Sequence, residues 1–466
     1  MEFMGKQNLV EVNEQAVETF VGNLRGSAIT HESLEYDEAR RIWNGMIDRR
    51  PAMIVLCAGV SDVIAAVNFA RENDLLLSVK GGGHNVSGNA VCDQGLMIDL
   101  SYMRSVRVDP RAGRARVDGG ATWGDFDAGT QVFGLATTGG LISATGVAGL
   151  TLGGGIGWLS PSYGLACDNL VSADVVTADG KVVTASDDEN PDLFWGLKGG
   201  GGNFGITTSF EFKVYPVGPN LFGGMIVYSL EEAQAALENF VEFMASAPDQ
   251  LGAVAGFITT PDGTPAVALI GVFNGPTDAG EKTLESVRRF GNPMLDTFGV
   301  APYRKIQALF DDGVSAGLRY YWKSSFLDRL PREALGIVID QARSRPSSQT
   351  KIFLEFLGGA LARIPGESAV FDHRASRYNY LIVGQWENAE DDEVNRRWAR
   401  ESWQAMDPFA SEGVYVNYLG TESDEEGNRV KAAYGPGKFE KLLALKRKYD
   451  PTNLFCMNQN IRPDIT

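Results

Sequence analysis

The chain has 466 residues, 44% of them hydrophobic, enough to fill the cores of two or three domains. With 59 acidic against 42 basic side chains its net charge is −17, and no basic cluster stands out, which argues against nucleic acid or anionic lipid as a partner. No stretch approaches about 20 consecutive apolar residues, and the N-terminus lacks a basic start followed by an apolar run, so a soluble, cytoplasmic protein is expected.

In chain order, residues 52–58 read as a buried strand, Ser61 caps a helix with Val63, Val67 and Ala70 on one side, and residues 75–80 are strand-like, giving a β-α-β opening. Strands are expected next at 96–100, 106–109 and 115–117, then a helix over about 122–133 that Gly134 ends. Residues 170–177 and 181–185 flank Ala178-Asp179-Gly180, an Asp-Gly pair suited to the positive φ angles of a hairpin, and a strand at 206–215 closes this half. Most of the 55 glycines fall before residue 206, in runs where predicted elements meet, so this half is built to bring backbone close to a ligand. From Val217 glycines thin out; strands at 221–228, 267–273 and 351–356 and a helix at 231–245 indicate a second, α+β domain over 217–409. The tail, 410–466, carries Tyr415-Val416-Asn417-Tyr418, read as a strand, and a basic helix ending at Tyr449. The expected division is therefore 1–216, 217–409 and 410–466.

The four cysteines, Cys57, Cys92, Cys167 and Cys456, lack the paired spacing of a zinc site and read as reduced structural thiols; no metal-ligand pattern occurs. The chemistry concentrates at Val79-Lys80-Gly81-Gly82-Gly83-His84-Asn85-Val86-Ser87-Gly88. After a strand, such a run lets backbone amides curl around a pyrophosphate as a nest of N–H donors. The G-x-G-x-x-G spacing of a dinucleotide Rossmann loop does not follow, and one of only three histidines stands inside the run.

A strand end followed by a basic residue, glycines, His and then Asn resembles the loop in which members of the vanillyl-alcohol-oxidase superfamily bond FAD, and in particular the berberine-bridge-like oxidases and bacterial 6-hydroxynicotine oxidases. Further segments match in family order: Asp99 to Met103, Gly119-Gly120-Ala121-Thr122-Trp123, the glycine-rich run from Gly146 to Trp158, Tyr163 to Leu170, Val175 to Gly180, Trp195 to Ile206, and Asp450 to Phe455 with Asn458-Gln459-Asn460. The resemblance implies a PCMH-type FAD-binding domain of two α/β subdomains, an α+β substrate domain with an antiparallel sheet, and a C-terminal segment returning to the FAD domain. It implies FAD joined through its 8α carbon to His84, with Val79, Lys80, Gly81, Gly82, Gly83, Asn85, Val86 and Gly88 around it. Further cofactor contacts are implied at Gly120, Thr145, Gly146, Gly149, Gly153, Gly154, Gly155, Gly157 and Trp158, then at Asp168, Asn169, Gly205, Ile206, Tyr415, Asn417 and Asn458. Many relatives tie FAD a second time through a Cys before the triple glycine; that position here is Ile142, and Cys167 lies elsewhere, so a single tether is expected.

Hydride transfer to flavin requires a base for the heteroatom's proton. The resemblance points to Tyr418, although a free Tyr has a pKa of about 10 and makes a poor base unaided, and alternation along a strand would simply bury it. Tyr378 and Tyr380, on a second-domain strand, are further candidates for the base or the pocket lining, while the Phe-x-His-Arg element with His373 reads as structural. The implied function is an FAD oxidase of a small or medium organic substrate, with dioxygen reduced to hydrogen peroxide and the protein monomeric or homodimeric. A dehydrogenase using another acceptor and a non-catalytic flavin-binding protein are the alternatives.

Overall fold

The computed structural model describes residues 1–6, 8–420 and 428–463; residues 421–427 and 464–466 of the C-terminal segment lie outside it. The fold mixes helix and sheet in three principal layers. The first is a four-stranded sheet in which Met53–Leu56 and Leu77–Lys80 flank Leu96–Asp99 in parallel, with Ser27–Thr30 antiparallel at the edge. Its β-α-β connection is the Val60–Glu72 helix, whose Val63, Ala66, Val67 and Ala70 pack on the sheet at 3.6-residue spacing. The helix begins at Val60 with Gly59 at its cap, so Ser61 lies within the first turn and does not cap it. The Asp62 carboxylate accepts the Ala58 amide, closing the turn earlier than the sequence suggests.

The second layer is an antiparallel sheet in the order Val182–Ser186, Leu170–Val176, Ile206–Lys213, Arg114–Asp118 and Val106–Asp109. Its hairpin turns at Gly180, with φ +77°, as the Asp-Gly pair requires. The Trp123–Thr130 helix starts at a reciprocal Thr122–Asp125 capping box and runs through a 3₁₀ turn to Gly134 at φ +64°.

The third layer is an eight-stranded antiparallel sheet. Five of its strands run in the order Pro265–Phe273, Leu251–Thr259, Lys351–Phe356, Tyr378–Trp386 and, at the edge, Arg319–Leu327. Helices Ala233–Met244, Arg332–Arg343 and Asp392–Ala405 cover one face, burying Ile352, Leu354, Tyr378, Tyr380 and Ile382. The opposite face carries Tyr320, Phe353, Leu381 and Val383 and turns toward the glycine-rich half. The C-terminal Pro436–Tyr449 helix packs back on the second layer through Phe439, Leu442, Leu443 and Leu445. Among the described residues no helix is long and apolar enough to cross a membrane.

Candidate active site

A cleft of about 290 Å³ runs between these layers, and its floor is the loop after Leu77–Lys80. Gly82 and Gly146 meet backbone to backbone there: a Cβ on Gly82 would lie 2.5 Å from the Gly146 nitrogen, so neither position tolerates a side chain without parting the loops. Among the described residues, no acceptor meets the amides of Gly82, Gly83, His84, Asn85 or Val86, which leaves a row of N–H donors as the nest argument requires. His84 lines the cleft with its Nε2 shut from solvent and unpartnered. Burial lowers the pKa of its imidazole to about 4, so the ring is neutral at physiological pH.

Val79, Gly81 and Asn85 complete the loop's contribution, and Thr145, Gly146, Gly149 and Gly153 form the adjoining wall. Ile142 lines the same wall, whereas Cys167 is buried in the Leu165–Phe371–Tyr415 cluster away from the cleft. Gly205, Ile206 and Thr207 close the far end with Asn458, whose Nδ2 donates to the Gly202 carbonyl and so laces the C-terminus onto the glycine run.

Tyr415 to Tyr418 is a turn of 3₁₀ helix over Val416–Tyr418, not the strand the sequence suggested. The alternation that would have buried Tyr418 as a strand residue therefore does not apply; at three residues per turn, Tyr415 and Tyr418 come to one side, with ring centroids 4.8 Å apart. Asn417 is fixed by donating to the Leu150 carbonyl at 3.0 Å and to the Tyr415 hydroxyl at 2.8 Å, over a Gly153 whose missing side chain admits it. Tyr418 lines the cleft, and its hydroxyl donates to Glu355 Oε1 at 2.9 Å. Asn379 Nδ2 donates to the other oxygen at 2.6 Å. Burial raises the Glu355 carboxyl to about 7, and burial together with that carboxylate holds the Tyr418 phenol well above its usual 10.

Glu355 and Asn379 escaped the sequence reading, and so did Trp322, whose ring stands edge-on to Tyr418 at 5.4 Å. The signal was strand parity. Glu355 is paired across the sheet with Asn379 on the cleft face, which sends the neighbouring Tyr378 and Tyr380 to the helix-covered face. Tyr380 there donates to Gln341 Oε1 at 2.7 Å and Tyr378 packs edge-on to Phe356, so neither reaches the cleft.

Several residues expected to contact the cofactor lie off the cleft lining and make contacts within the protein. Lys80 Nζ is held by Asp99 at 3.2 Å and by the Ala39 carbonyl. Val86 is core, Gly88 admits Ile47, and Gly120 and Gly157 lie against the carbonyls of Leu100 and Gly139. Gly154 and Gly155 pack beneath the cleft against Phe371 and Ala166, where the Tyr415 hydroxyl accepts the Gly155 amide at 2.8 Å. Trp158 rests on Phe310. Asp168 makes a buried ion pair with Arg374 at 2.6 Å, which joins the glycine-rich half to the sheet domain, and Asn169 is bonded to the carbonyls of Tyr163 and Leu165 and by the Tyr215 hydroxyl.

Five residues that line the cleft, His84, Thr207, Trp322, Tyr434 and Asn458, each carry a buried side-chain nitrogen or oxygen that is unpartnered among the described residues. Unmet buried polar groups cost about 1–3 kcal/mol each, so the cleft is made for a long ligand with polar groups along it. With the amide row at one end and a neutral imidazole beside it, the residues present fit FAD.

Comparison with known proteins agrees. Residues 51–186 match the family model described as an FAD binding domain, and residues 414–462 the one described as berberine and berberine like. An FAD-linked oxidoreductase of Dictyostelium discoideum is 32% identical over 455 residues, spanning 96% of this chain and 97% of the relative. The (R)-6-hydroxynicotine oxidase of Paenarthrobacter nicotinovorans is 32% identical over 95% of this chain and 98% of its own length. The crystal structure of 6-hydroxy-D-nicotine oxidase from Arthrobacter nicotinovorans superposes with a TM-score of 0.86 at 29% identity, covering 95% of this chain and 99% of that one. With this fold and this cleft, the chain belongs to the berberine-bridge-like FAD-linked oxidases.

Proposed function

We propose that the protein oxidises a small or medium organic substrate at a carbon bearing oxygen or nitrogen, with FAD joined by a single 8α bond to His84 and dioxygen reduced to hydrogen peroxide. FAD, when bound, supplies the hydride acceptor. The chain's own residues must hold the reacting carbon, exclude water and take the heteroatom's proton.

The observation that carries the reading is the hydrogen bond from the Tyr418 hydroxyl to Glu355. A lone phenolate is disfavoured at Tyr418 by burial and by the neighbouring carboxylate. Glu355, raised to about 7, is matched to accepting a proton near neutral pH. Tyr418 therefore takes the substrate's proton as it passes its own to Glu355 Oε1, while Asn379 occupies Oε2 and keeps Oε1 turned to the tyrosine. Among the described residues the cleft lining itself carries no charged side chain, and the Glu355 carboxyl stands behind the Tyr418 hydroxyl. Leu141, Ile142, Ile156 and Trp322 offer apolar contact instead. At Ile142 a hydrocarbon side chain stands where a second tether would need a thiol.

Anaerobic mixing of the yellow protein with pools of alcohols and amines, followed by admission of oxygen, tests this. Bleaching of the flavin and then peroxide is expected. Bleaching without peroxide would identify a dehydrogenase, and a flavin that no pool reduces would count against catalysis.

A further inference from the structure

Trp43 belongs to no element that the proposed reaction uses, yet it is 5% exposed and lies against the attachment histidine. Its ring is stacked on the His84 imidazole, with centroids 4.3 Å apart and planes 18° from parallel, and on Tyr320, at 3.6 Å and 22°. Tyr320 comes from the Arg319–Leu327 strand of the large sheet, so one indole touches both the flavin loop and the opposite wall.

The backbone holds the indole in place. The Trp43 amide donates to the Gly83 carbonyl at 3.0 Å, the Gly317 amide to the Trp43 carbonyl at 2.9 Å, and the Gly45 amide to the Leu318 carbonyl at 2.7 Å. The buried Asn44 side chain donates to the carbonyls of Val86 at 2.8 Å and Tyr320 at 3.0 Å and accepts the Tyr320 amide at 3.0 Å. Residues 43–45 are thus a strap stitched on one side to the histidine loop and on the other to the sheet. At Nε2 the His84 ring has no polar partner among the described residues, and besides a hydrogen bond to its own backbone the ring is held by the stacked indole.

We propose that Trp43 is a positioning residue for covalent attachment of FAD at His84, and that the strap makes attachment depend on docking of the large sheet. The inference rests on the reading of His84 as the attachment site. Attachment exchanges one C–H bond of the 8α-methyl group and one imidazole N–H for a C–N bond; the two electrons and two protons reduce the ring system, and dioxygen then takes them as hydrogen peroxide. The bond forms only when a ring nitrogen faces that carbon, so loosening the imidazole lowers the rate without abolishing FAD binding.

The test uses full-length protein from riboflavin-limited cells, supplied with FAD, following total bound FAD and acid-stable flavin in time. Wild type is measured first: complete release of its flavin by acid would overturn the attachment reading and this inference with it, before any variant is made. With wild type retaining flavin, Trp43→Leu should bind FAD to the same stoichiometry but attach it roughly 3- to 10-fold more slowly, the factor that one aromatic pair is worth. Trp43→Phe, which keeps an aromatic face for the imidazole, should restore the rate to within about twofold at equal FAD occupancy. Attachment by Trp43→Leu at the wild-type rate overturns the proposal. If Trp43→Leu takes up no FAD, Tyr320→Leu decides by the same ratio: slowed attachment supports the strap and unchanged attachment overturns it.

Discussion

The glycine-rich wall of the cleft and the wall made by the large sheet bound one space by opposite means. On the first, backbone is the surface: Gly82 against Gly146, and Gly153 beneath Asn417, sit where any side chain would fill the room a ligand or a neighbour needs. Residue type alone therefore marks function, and a glycine there can be read without knowing what lies opposite. On the second wall side chains are the surface, and function is decided by strand parity. Asn379 turns to Glu355 behind the cleft, while Tyr378 and Tyr380, one residue to either side, are committed to the helix-covered core. The first wall accordingly tolerates little at many positions, and the second tolerates much except at a few.

Five substitutions and one pH profile probe this contrast. The largest effect is expected at the His84 loop itself. His84→Ala should release all its flavin into acid, where wild type leaves a yellow pellet whose only flavinylated peptide contains His84; a flavinylated Cys167 peptide would show the glycine-rich segment misread.

Next is Tyr418→Phe, which keeps the ring and removes the hydroxyl that bonds Glu355. Flavin reduction measured by stopped flow should slow roughly 10²- to 10⁴-fold, with reoxidation by oxygen little changed. A variant within about threefold of wild type, under about 1 kcal/mol, would remove the pair from the mechanism.

Gly82→Ala comes third. Its methyl group would sit 2.5 Å from the Gly146 nitrogen, and overpacking of this kind costs about 1–3 kcal/mol. Weaker FAD binding, by roughly 5- to 100-fold, should appear in titration of the unloaded protein. Unchanged affinity would mean that the loops yield and that this wall tolerates a side chain at Gly82.

The pH profile is gentler. The reactive form of Glu355 is the carboxylate, so flavin reduction should fall as pH drops below about 7, by about tenfold per unit, and Glu355→Gln should erase that limb. The sign for stability is the reverse. Above the ordinary value of 4.5 the unfolded chain gives up a proton that the folded chain keeps until about 7, so stability present below 4.5 is lost as pH rises through that window. Denaturation of the Glu355→Gln variant should lack this component.

Smallest is Tyr380→Phe. Gln341 would lose its buried donor at a cost of about 1–3 kcal/mol, seen as a lower thermal midpoint, while flavin reduction stays within about twofold. A large kinetic effect would mean that strand parity does not separate the two faces functionally.

The sequence by itself determined the mixed α and β character, the hairpin at Asp179-Gly180, the glycine-rich loop around His84, and the family to which these belong. These rest on local rules: which residues adopt positive φ, which spacing suits a helix, which positions must lack a side chain. Only the tertiary structure brought Glu355 to Tyr418 across 63 positions of sequence, and Trp43 to His84 across the whole β-α-β unit from Met53 to Lys80. The first depends on the register of Lys351–Phe356 against Tyr378–Trp386, and on a 3₁₀ turn where alternation suggested a strand. In a sheet a shift of one residue turns every side chain to the other face, and no local pattern fixes which face will meet the cofactor.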